Sequence, residues 1–200
     1  MIHPATRLRW IDGLIGYGVF ATAHIPKGTI LYVHDDLDLI MATNDVRLLD
    51  PDIKPHIDKY AYTNEHGEKV LCWDHAKFVN HGCDFNCMST GFGFDIAVRD
   101  IHMGDEIRCE YSVLNLEEPL NCTCGALSCR YTIDSSDVDR FFAVWDKRVI
   151  AAICHIEKVN QPLLKILQEN VKLHLFDYMD SGEGYPSVMG LKCQLQAPRG

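Results

Sequence analysis

Residues 122–129 of this 200-residue chain read Cys-Thr-Cys-Gly-Ala-Leu-Ser-Cys. Three thiols lie within these eight residues, and a further cysteine, Cys83, lies upstream. Zinc takes four soft ligands in a tetrahedron, and cysteine thiolates meet that requirement. We therefore predict that Cys122, Cys124 and Cys129 bind zinc together with Cys83. Such a site would hold the loop against the Cys83 segment, and we expect the functional site beside this junction.

The alternative interpretation of these four cysteines is that they are buried thiols, packed as small apolar side chains. Three of them lie on one polar loop, which has too few apolar residues to bury them all. Metal binding would also supply folding free energy that such a loop cannot obtain from a core. The remaining cysteines have no ligand-like spacing and are interpreted as buried or incidental: Cys72, Cys87, Cys109, Cys154 and Cys193.

The composition is that of a globular protein, with 47% hydrophobic and 24% charged residues. The net charge of −9 argues against direct nucleic-acid binding, because phosphates require a basic face, and favours a basic protein or peptide as partner. No apolar run reaches the ~18 residues that a membrane-spanning helix needs. The first residues lack the apolar segment of a signal peptide. We therefore expect an intracellular protein, cytoplasmic or nuclear, with reduced thiols.

The chain up to about residue 115 is rich in strand-forming residues. Residues 18–21 and 29–33 favour strands on either side of a turn at Pro26-Lys27-Gly28. Residues 60–63 and 69–73 flank Asn-Glu-His-Gly, which indicates a hairpin. Residues 93–98 and 107–111 flank a further turn. Many short strands with few helices predict a β-rich fold of small sheets.

The chain after the cysteine-rich loop reads as a C-terminal α-helical hairpin. Ser135-Ser136 is expected to cap a helix over 137–158, whose apolar positions recur at helical spacing. A second helix is expected to open at Pro162, run to about 179 and end at Gly182. We divide the chain into a β-rich domain at 5–115, a zinc-binding loop at 116–133, and a helical extension at 134–200 with a partly flexible tail.

Four motifs, in this order, resemble the SET-domain protein lysine methyltransferases with a post-SET zinc loop. They are Gly-Tyr-Gly-Val-Phe at 16–20, Lys-Phe-Val-Asn-His-Gly-Cys-Asp-Phe-Asn at 77–86, Gly-Asp-Glu-Ile-Arg-Cys-Glu-Tyr at 104–111, and the cysteine spacing at 122–129 followed by Arg130. The resemblance covers roughly residues 5 to 133. It implies a SET fold of small β-sheets with a pseudoknot, in which the Asn80 segment passes under a loop near Tyr111.

The resemblance also implies an activity and its residues. The reaction would be methyl transfer from S-adenosylmethionine to a lysine of a basic protein, such as a histone-like or ribosomal-type tail. Tyr111 and Tyr32 would be the catalytic pair, with Tyr32 in the lysine channel. The residues that would bind S-adenosylmethionine are Tyr17, Gly18, Asn80, His81 and Tyr111. Two alternatives remain open: Tyr32 as an ordinary strand residue and Gly18 as a simple turn glycine.

Two positions depart from the family pattern. Phe85 replaces a proline, and Cys109 stands where the family has a bulky aromatic residue that limits the number of methyl groups. We hypothesise that Cys109 permits di- or trimethylation, unless Phe85 or Phe94 fills the space.

A competing hypothesis is a zinc-stapled interaction module without activity, although the motif residues are intact. A thiol oxidoreductase is disfavoured because the Cys-x-Cys sequence lies on no βαβ pattern.

Overall fold

The computed structural model describes residues 1–193, so residues 194–200 of the tail that was expected to be partly flexible lie outside the described residues. The chain up to residue 133 forms short strands, one α-helix and several 3₁₀ turns. The strands are β1 (Thr6–Asp12), β2 (Gly16–Ala21), β3 (Ile30–Val33), β4 (Leu39–Met41), β5 (Tyr62–Thr63), β6 (Lys69–Leu71), β7 (Asn80–His81), β8 (Cys87–Ser89), β9 (Phe94–Ala97), β10 (Glu106–Cys109), β11 (Leu120–Asn121) and β12 (Thr132–Ile133). The expectation of a β-rich fold with small sheets is confirmed.

The strands pair into small separate sheets. Their orders are β1-β2-β10-β7, β3-β9-β8, β4-β6-β5 and β11-β12. The hairpin expected around residues 64–67 is β5 and β6. The strands β9 and β10, which flank a predicted turn, belong to different sheets. In the first sheet β10 pairs antiparallel with β2 and parallel with β7, so Arg108 lies opposite Asn80 and Cys109 opposite His81.

The helices are α1 (Lys54–Tyr60), α2 (Asp137–Ile153) and α3 (Glu169–Ser181). Ser136 is the N-cap residue of α2, as expected, but its side chain makes no capping bond, and its N–H donates to Asp134. Asp137 in the first turn still favours the helix N-terminus. At the other end of the pair, Gly182 ends α3 in the left-handed conformation with φ 74°, as expected from the sequence.

The second helix begins at Glu169 rather than at Pro162. The intervening turns are held by Gln161, which accepts a hydrogen bond from the Ile30 N–H and donates to the Gly28 carbonyl. Leu163 and Leu167 are buried in the core. These contacts stabilise a non-helical connection before α3. The two helices are therefore joined by residues 154–168 and not by a short hairpin turn.

The core consists of two clusters on the two faces of the β3-β9-β8 sheet. The larger cluster packs Phe94 and Ile96 of β9 against Trp145 and Val149 of α2, so the extension shares a core with the strands. The smaller cluster contains the side chains that surround Cys109. No helix among the described residues is long and apolar enough to cross a membrane.

Candidate active site and metal centre

Tyr111 lies where β10 ends and a 3₁₀ turn, Tyr111–Leu114, begins. Its hydroxyl donates a hydrogen bond of 2.7 Å to the Val79 carbonyl, and its N–H donates to His81 Nδ1 at 3.3 Å. Glu110 caps the turn by accepting from the Ser112 N–H. Burial raises the pKa of Tyr111, with the nearby Cys109 adding to the effect. The phenol therefore stays protonated at neutral pH and is fixed in orientation.

Tyr32 on β3 is held by a buried carboxylate. Its hydroxyl donates to Asp38, and the Cys72 thiol donates to the Tyr32 oxygen at 3.3 Å. Asp38 also accepts from the Trp73 N–H and contacts His34 Nδ1. Burial raises the pKa of Asp38, but the hydrogen bonds from His34 and Tyr32 outweigh it and bring the pKa to about 2. Asp38 is thus an anionic anchor for Tyr32, a role that sequence reasoning missed.

A cavity of about 1150 Å³ lies between the β4-β6-β5 sheet and the C-terminal extension. Tyr32, Tyr62, Cys109 and Tyr111 all line it, so the structure brings the two expected catalytic tyrosines into one space. One further residue, Asn115, joins its two walls. The acidic residues of the lining are Asp58, Glu65, Glu68, Asp95, Glu117 and Glu118, and the lysines are Lys59, Lys69 and Lys77.

Asn115 follows the Tyr111 turn in the left-handed conformation. Its side-chain amide donates to the carbonyls of Thr63 on β5 and Leu191 in the extension, at 3.0 and 2.9 Å. Its oxygen accepts from the Cys193 N–H at 2.7 Å. One side chain therefore fixes the β5 wall of the cavity to the wall made by the extension.

Tyr17, Gly18, Asn80 and His81 do not line this cavity. Tyr17 and Gly18 lie on β2 and the other two on β7, with β10 between the two strands. The Asn80 amide donates to the Tyr17 carbonyl at 3.1 Å and to Glu106 Oε1 at 2.8 Å. A Cβ at Gly18 would lie 2.7 Å from Glu106 Oε1 and 3.0 Å from Asn80 Nδ2. The glycine is therefore required by the packing of Glu106 and Asn80, and the four residues form one contiguous group.

The four cysteines singled out in the sequence lie together. The sulfurs of Cys83, Cys122, Cys124 and Cys129 all lie within 4.8 Å of one another, and those of Cys83 and Cys122 are 3.8 Å apart. A tetrahedral zinc with Zn–S bonds of ~2.3 Å separates its sulfurs by about 3.8 Å. The donor set therefore fits zinc in number, type and spacing.

Backbone N–H groups point at three of these sulfurs. The N–H of Cys83 donates to Cys124 Sγ, that of Arg130 to Cys83 Sγ, and that of Tyr131 to Cys129 Sγ, each at 3.4 Å. Such donors stabilise thiolates and tune bound metals. His81 Nε2 also lies 3.4 Å from Cys83 Sγ. Because His81 Nδ1 accepts from Tyr111, the sulfur cluster and the Tyr111 turn share one histidine.

Arg130 links the cysteine-rich loop to the rest of the protein. Its guanidinium donates to Glu110 at 2.6 Å and to Asp137 at 2.8 Å. Glu110 and Asp137 are both buried, and Glu110 directly precedes Tyr111. Sequence reasoning did not find this network, although the acidic Glu110 next to Tyr111 in the third motif was a usable signal.

Of the two phenylalanines considered for the space beside Cys109, Phe85 lies outside the cavity lining, whereas Phe94 is part of it. Phe85 packs edge-to-face on Trp145, with ring centroids 6.5 Å apart, and Arg148 lies over its other side. Phe85 and Phe94 both belong to the larger cluster, whereas Cys109 belongs to the smaller one. Cys109 and Phe94 both line the cavity, whereas the Phe85 ring packs on Trp145.

Comparison with known proteins adds two findings. The family model described as "SET domain" matches residues 16–112. Among solved structures, the methyltransferase domain of human histone-lysine N-methyltransferase SETMAR aligns with a TM-score of 0.46 and 19% sequence identity. The alignment covers 66% of the present chain and 57% of that chain, so it spans less than two thirds of the SETMAR domain.

Proposed function

This chain is a SET-domain protein, with the domain at residues 16–112, and from that premise we propose that it is an S-adenosylmethionine-dependent protein lysine N-methyltransferase. The observation that carries the proposal is the position of Tyr111. Its hydroxyl is fixed on Val79, the residue before Asn80, while its side chain also lines the cavity. One residue thus joins the cavity proposed for the substrate to the group of residues proposed for the cofactor.

The target amine must lose its charge before it can act as a nucleophile, because an ammonium has no lone pair and free lysine has a pKa of ~10.4. Transfer from water into a cavity lined by Tyr32, Tyr62 and Tyr111 disfavours the charged amine. S-adenosylmethionine supplies, when bound, a methyl group on a sulfonium sulfur. Burial raises the pKa of both Tyr32 and Tyr111, so each presents a neutral hydroxyl to the amine.

Cofactor binding is proposed for Tyr17, Gly18, Asn80, His81 and Tyr111. The Asn80 amide donates hydrogen bonds to the Tyr17 carbonyl and to Glu106, and these two bonds fix the orientation of the amide that would contact the cofactor. Tyr17 is 44% exposed and packs edge-to-face between Trp10 and Phe78. An exposed aromatic surface beside these residues favours a cationic sulfonium and an adenine ring.

Zinc binding is proposed for Cys83, Cys122, Cys124 and Cys129, on the fit of the four sulfurs described above. Its role would be structural: four protein ligands leave no open position for a substrate. Zinc would fix the cysteine-rich loop next to His81 and so support the Tyr111 turn. Thiolate ligands also require a reducing compartment, which agrees with an intracellular location as part of this proposal.

A basic protein or peptide is the proposed substrate. Six acidic residues and three lysines line the cavity, and Lys69 is paired with Glu117. The excess of carboxylates would attract a basic segment and raise its local concentration. An exposed lysine on such a segment has the length and apolar stem to enter a cavity lined by aromatic side chains.

Two measurements test the proposal. S-adenosylhomocysteine should raise the melting temperature of the protein, because a ligand that binds only the folded state stabilises it by mass action. Incubation with labelled S-adenosylmethionine and mixed basic proteins should give methyl-lysine detectable by mass spectrometry. Absence of both effects would leave the interaction module as the better description, since such a module needs neither cofactor nor turnover.

A further inference from the structure

Asp95 is a carboxylate inside the cavity that none of the four sequence motifs contains. It lies in the middle of β9, opposite Tyr32 on β3 and Ser89 on β8. Its neighbours Phe94 and Ile96 point into the larger core cluster. Because side chains alternate along a strand, Asp95 points to the opposite face, where it lines the cavity with Tyr32 and Tyr111.

Asp95 has neutral hydrogen-bonding neighbours, and the α-ammonium of Met1 is close enough to lower its pKa. Its Oδ2 lies 3.9 Å from Cys87 Sγ, and Ser89 is its hydrogen-bonding partner. Cys72, Cys109 and Tyr62 are close enough that the carboxylate raises the pKa of each. Burial raises the pKa of Asp95 itself to about 6. At neutral pH the group is therefore mainly an anion, on a residue that is partly buried.

Within residues 1–193, Asp95 forms no ion pair with a lysine or arginine side chain. The ion pairs of that part of the chain involve other carboxylates, and the α-ammonium of Met1 is paired with Asp35. An anion held in a cavity without a cation costs folding free energy. A group that carries such a cost, and that faces a space open to a ligand, is a candidate for a functional role.

We infer that Asp95 is a substrate-binding residue, which accepts hydrogen bonds from the ammonium of the target side chain in the cavity. The inference rests on the proposed function and deepens it. A cation entering the cavity would pair with the anion, whereas a neutral side chain of the same shape would leave it unpaired. Asp95 would therefore select an amine over an isosteric alcohol or alkane.

The same contact provides a route for the proton that the amine must lose. The ammonium N–H bond breaks, an O–H bond forms on Asp95, and the electron pair of the N–H bond remains on nitrogen. Amine and carboxyl group are then both neutral, which an apolar cavity favours over an ion pair. After methyl transfer the product leaves as an ammonium, and Asp95 releases its proton to water.

The test uses n-butylammonium as a probe for the lysine side chain and 1-butanol as its neutral counterpart, titrated by NMR against the full chain. The unmutated protein should bind the ammonium at least about tenfold more tightly than the alcohol, or about 1.4 kcal/mol. Asp95→Asn should abolish that preference. The matched control is Asp58→Asn, which removes the same charge from the rim of the same cavity and should retain it.

Two results would overturn the inference: no preference for the ammonium in the unmutated protein, or an unchanged preference in Asp95→Asn. Methyl transfer gives a second measurement, because Asp95→Asn should turn over at least about tenfold more slowly while S-adenosylhomocysteine still stabilises it. If the probe results hold but no methyl transfer or cofactor binding is found, the amine site stands and the proposed methyltransferase activity fails. The two failures are thus distinguishable.

Discussion

The hydroxyl of Tyr111 donates to the backbone carbonyl of Val79 at 2.7 Å, across a parallel pairing between β10 and β7. A backbone acceptor cannot be removed by mutation, and it cannot rotate away as a side chain can. The phenol oxygen therefore has one defined position and one defined donor direction. Because the hydroxyl hydrogen is used for Val79, the phenol oxygen would act as a hydrogen-bond acceptor toward a substrate amine in the cavity.

Replacement of Tyr111 by phenylalanine should lower methyl transfer by orders of magnitude while leaving the fold and cofactor binding intact. Only the hydroxyl is lost, so the effect should appear in kcat more than in affinity. The lost hydrogen bond should reduce the free energy of unfolding by about 1 kcal/mol. Tyr185→Phe is the matched control, because it removes a hydroxyl bonded to Asp146 outside the cavity. Near-normal turnover by Tyr111→Phe would exclude this role.

Zinc removal should unfold the cysteine-rich loop. We expect one zinc per chain in freshly purified, unchelated protein, and loss of that metal in Cys124→Ser. Hydrogen exchange should then rise across residues 117–133, because metal binding and local folding share one free energy. Cys154→Ser, which replaces an exposed cysteine, should keep the metal. Elemental analysis that finds no zinc in the unmutated protein would refute the site.

Asp95 should make stability depend on pH. Its pKa is raised from 3.8 to about 6 on folding, so its stabilising contribution is complete below pH 3.8 and is lost as pH rises toward 6. Asp95→Asn, which stays neutral, should therefore be more stable by about 3 kcal/mol above pH 6. The gain should shrink toward pH 4 in urea unfolding at a series of pH values. A gain independent of pH would contradict this assignment.

Arg130 should be a large contributor to stability. Substitution by methionine leaves Glu110 and Asp137 buried without their cation, which typically costs about 3 kcal/mol or more. Arg140→Met is the control, because Arg140 is 69% exposed and reaches Asp137 only at 3.7 Å. It should change the free energy of unfolding by about 0.5 kcal/mol or less. Chemical denaturation measures the free energy of unfolding of both variants. Equal small losses in the two variants would show that the Arg130 network does not stabilise the fold.

Cys109→Tyr should shift the product toward monomethyl-lysine without abolishing turnover. The cysteine is short and a poor hydrogen-bond donor, and Phe85 lies outside the cavity lining, although Phe94 is part of it. In the proposed reaction a methylated amine should therefore have room to rotate and present its lone pair again. We expect di- or trimethyl-lysine from the unmutated enzyme in a saturated reaction. An exclusively monomethylated product, measured by mass spectrometry, would refute the hypothesis.

Much of the fold follows from local sequence. The hairpin of β5 and β6 is marked by β-forming residues around a turn, and the end of α3 by Gly182, because each signal acts over a few residues. The start of α3 is not predictable in this way. It is displaced because Gln161 binds Ile30 and Gly28, which are distant in sequence.

In the candidate site, too, features marked by local sequence could be predicted, whereas features that depend on distant contacts could not. The four cysteines could be grouped because their residue type and their spacing in the sequence indicate a metal site. Asp38 and Asp95 could not be assigned, because the roles of these carboxylates come from the strands packed around them. Asp38 faces Tyr32 through a turn, and Asp95 reaches the cavity only because β9 lies between β3 and β8.

The amide of Asn115 donates hydrogen bonds to both Thr63 and Leu191. One wall of the cavity is therefore formed by residues outside the SET domain. Under the proposed function, the two catalytic tyrosines and the cavity wall at residues 186–191 lie in different parts of the chain. A substitution in the extension should therefore change the shape of the cavity while Tyr32 and Tyr111 keep their hydrogen bonds. The proposed substrate preference should thus respond to substitutions outside residues 16–112.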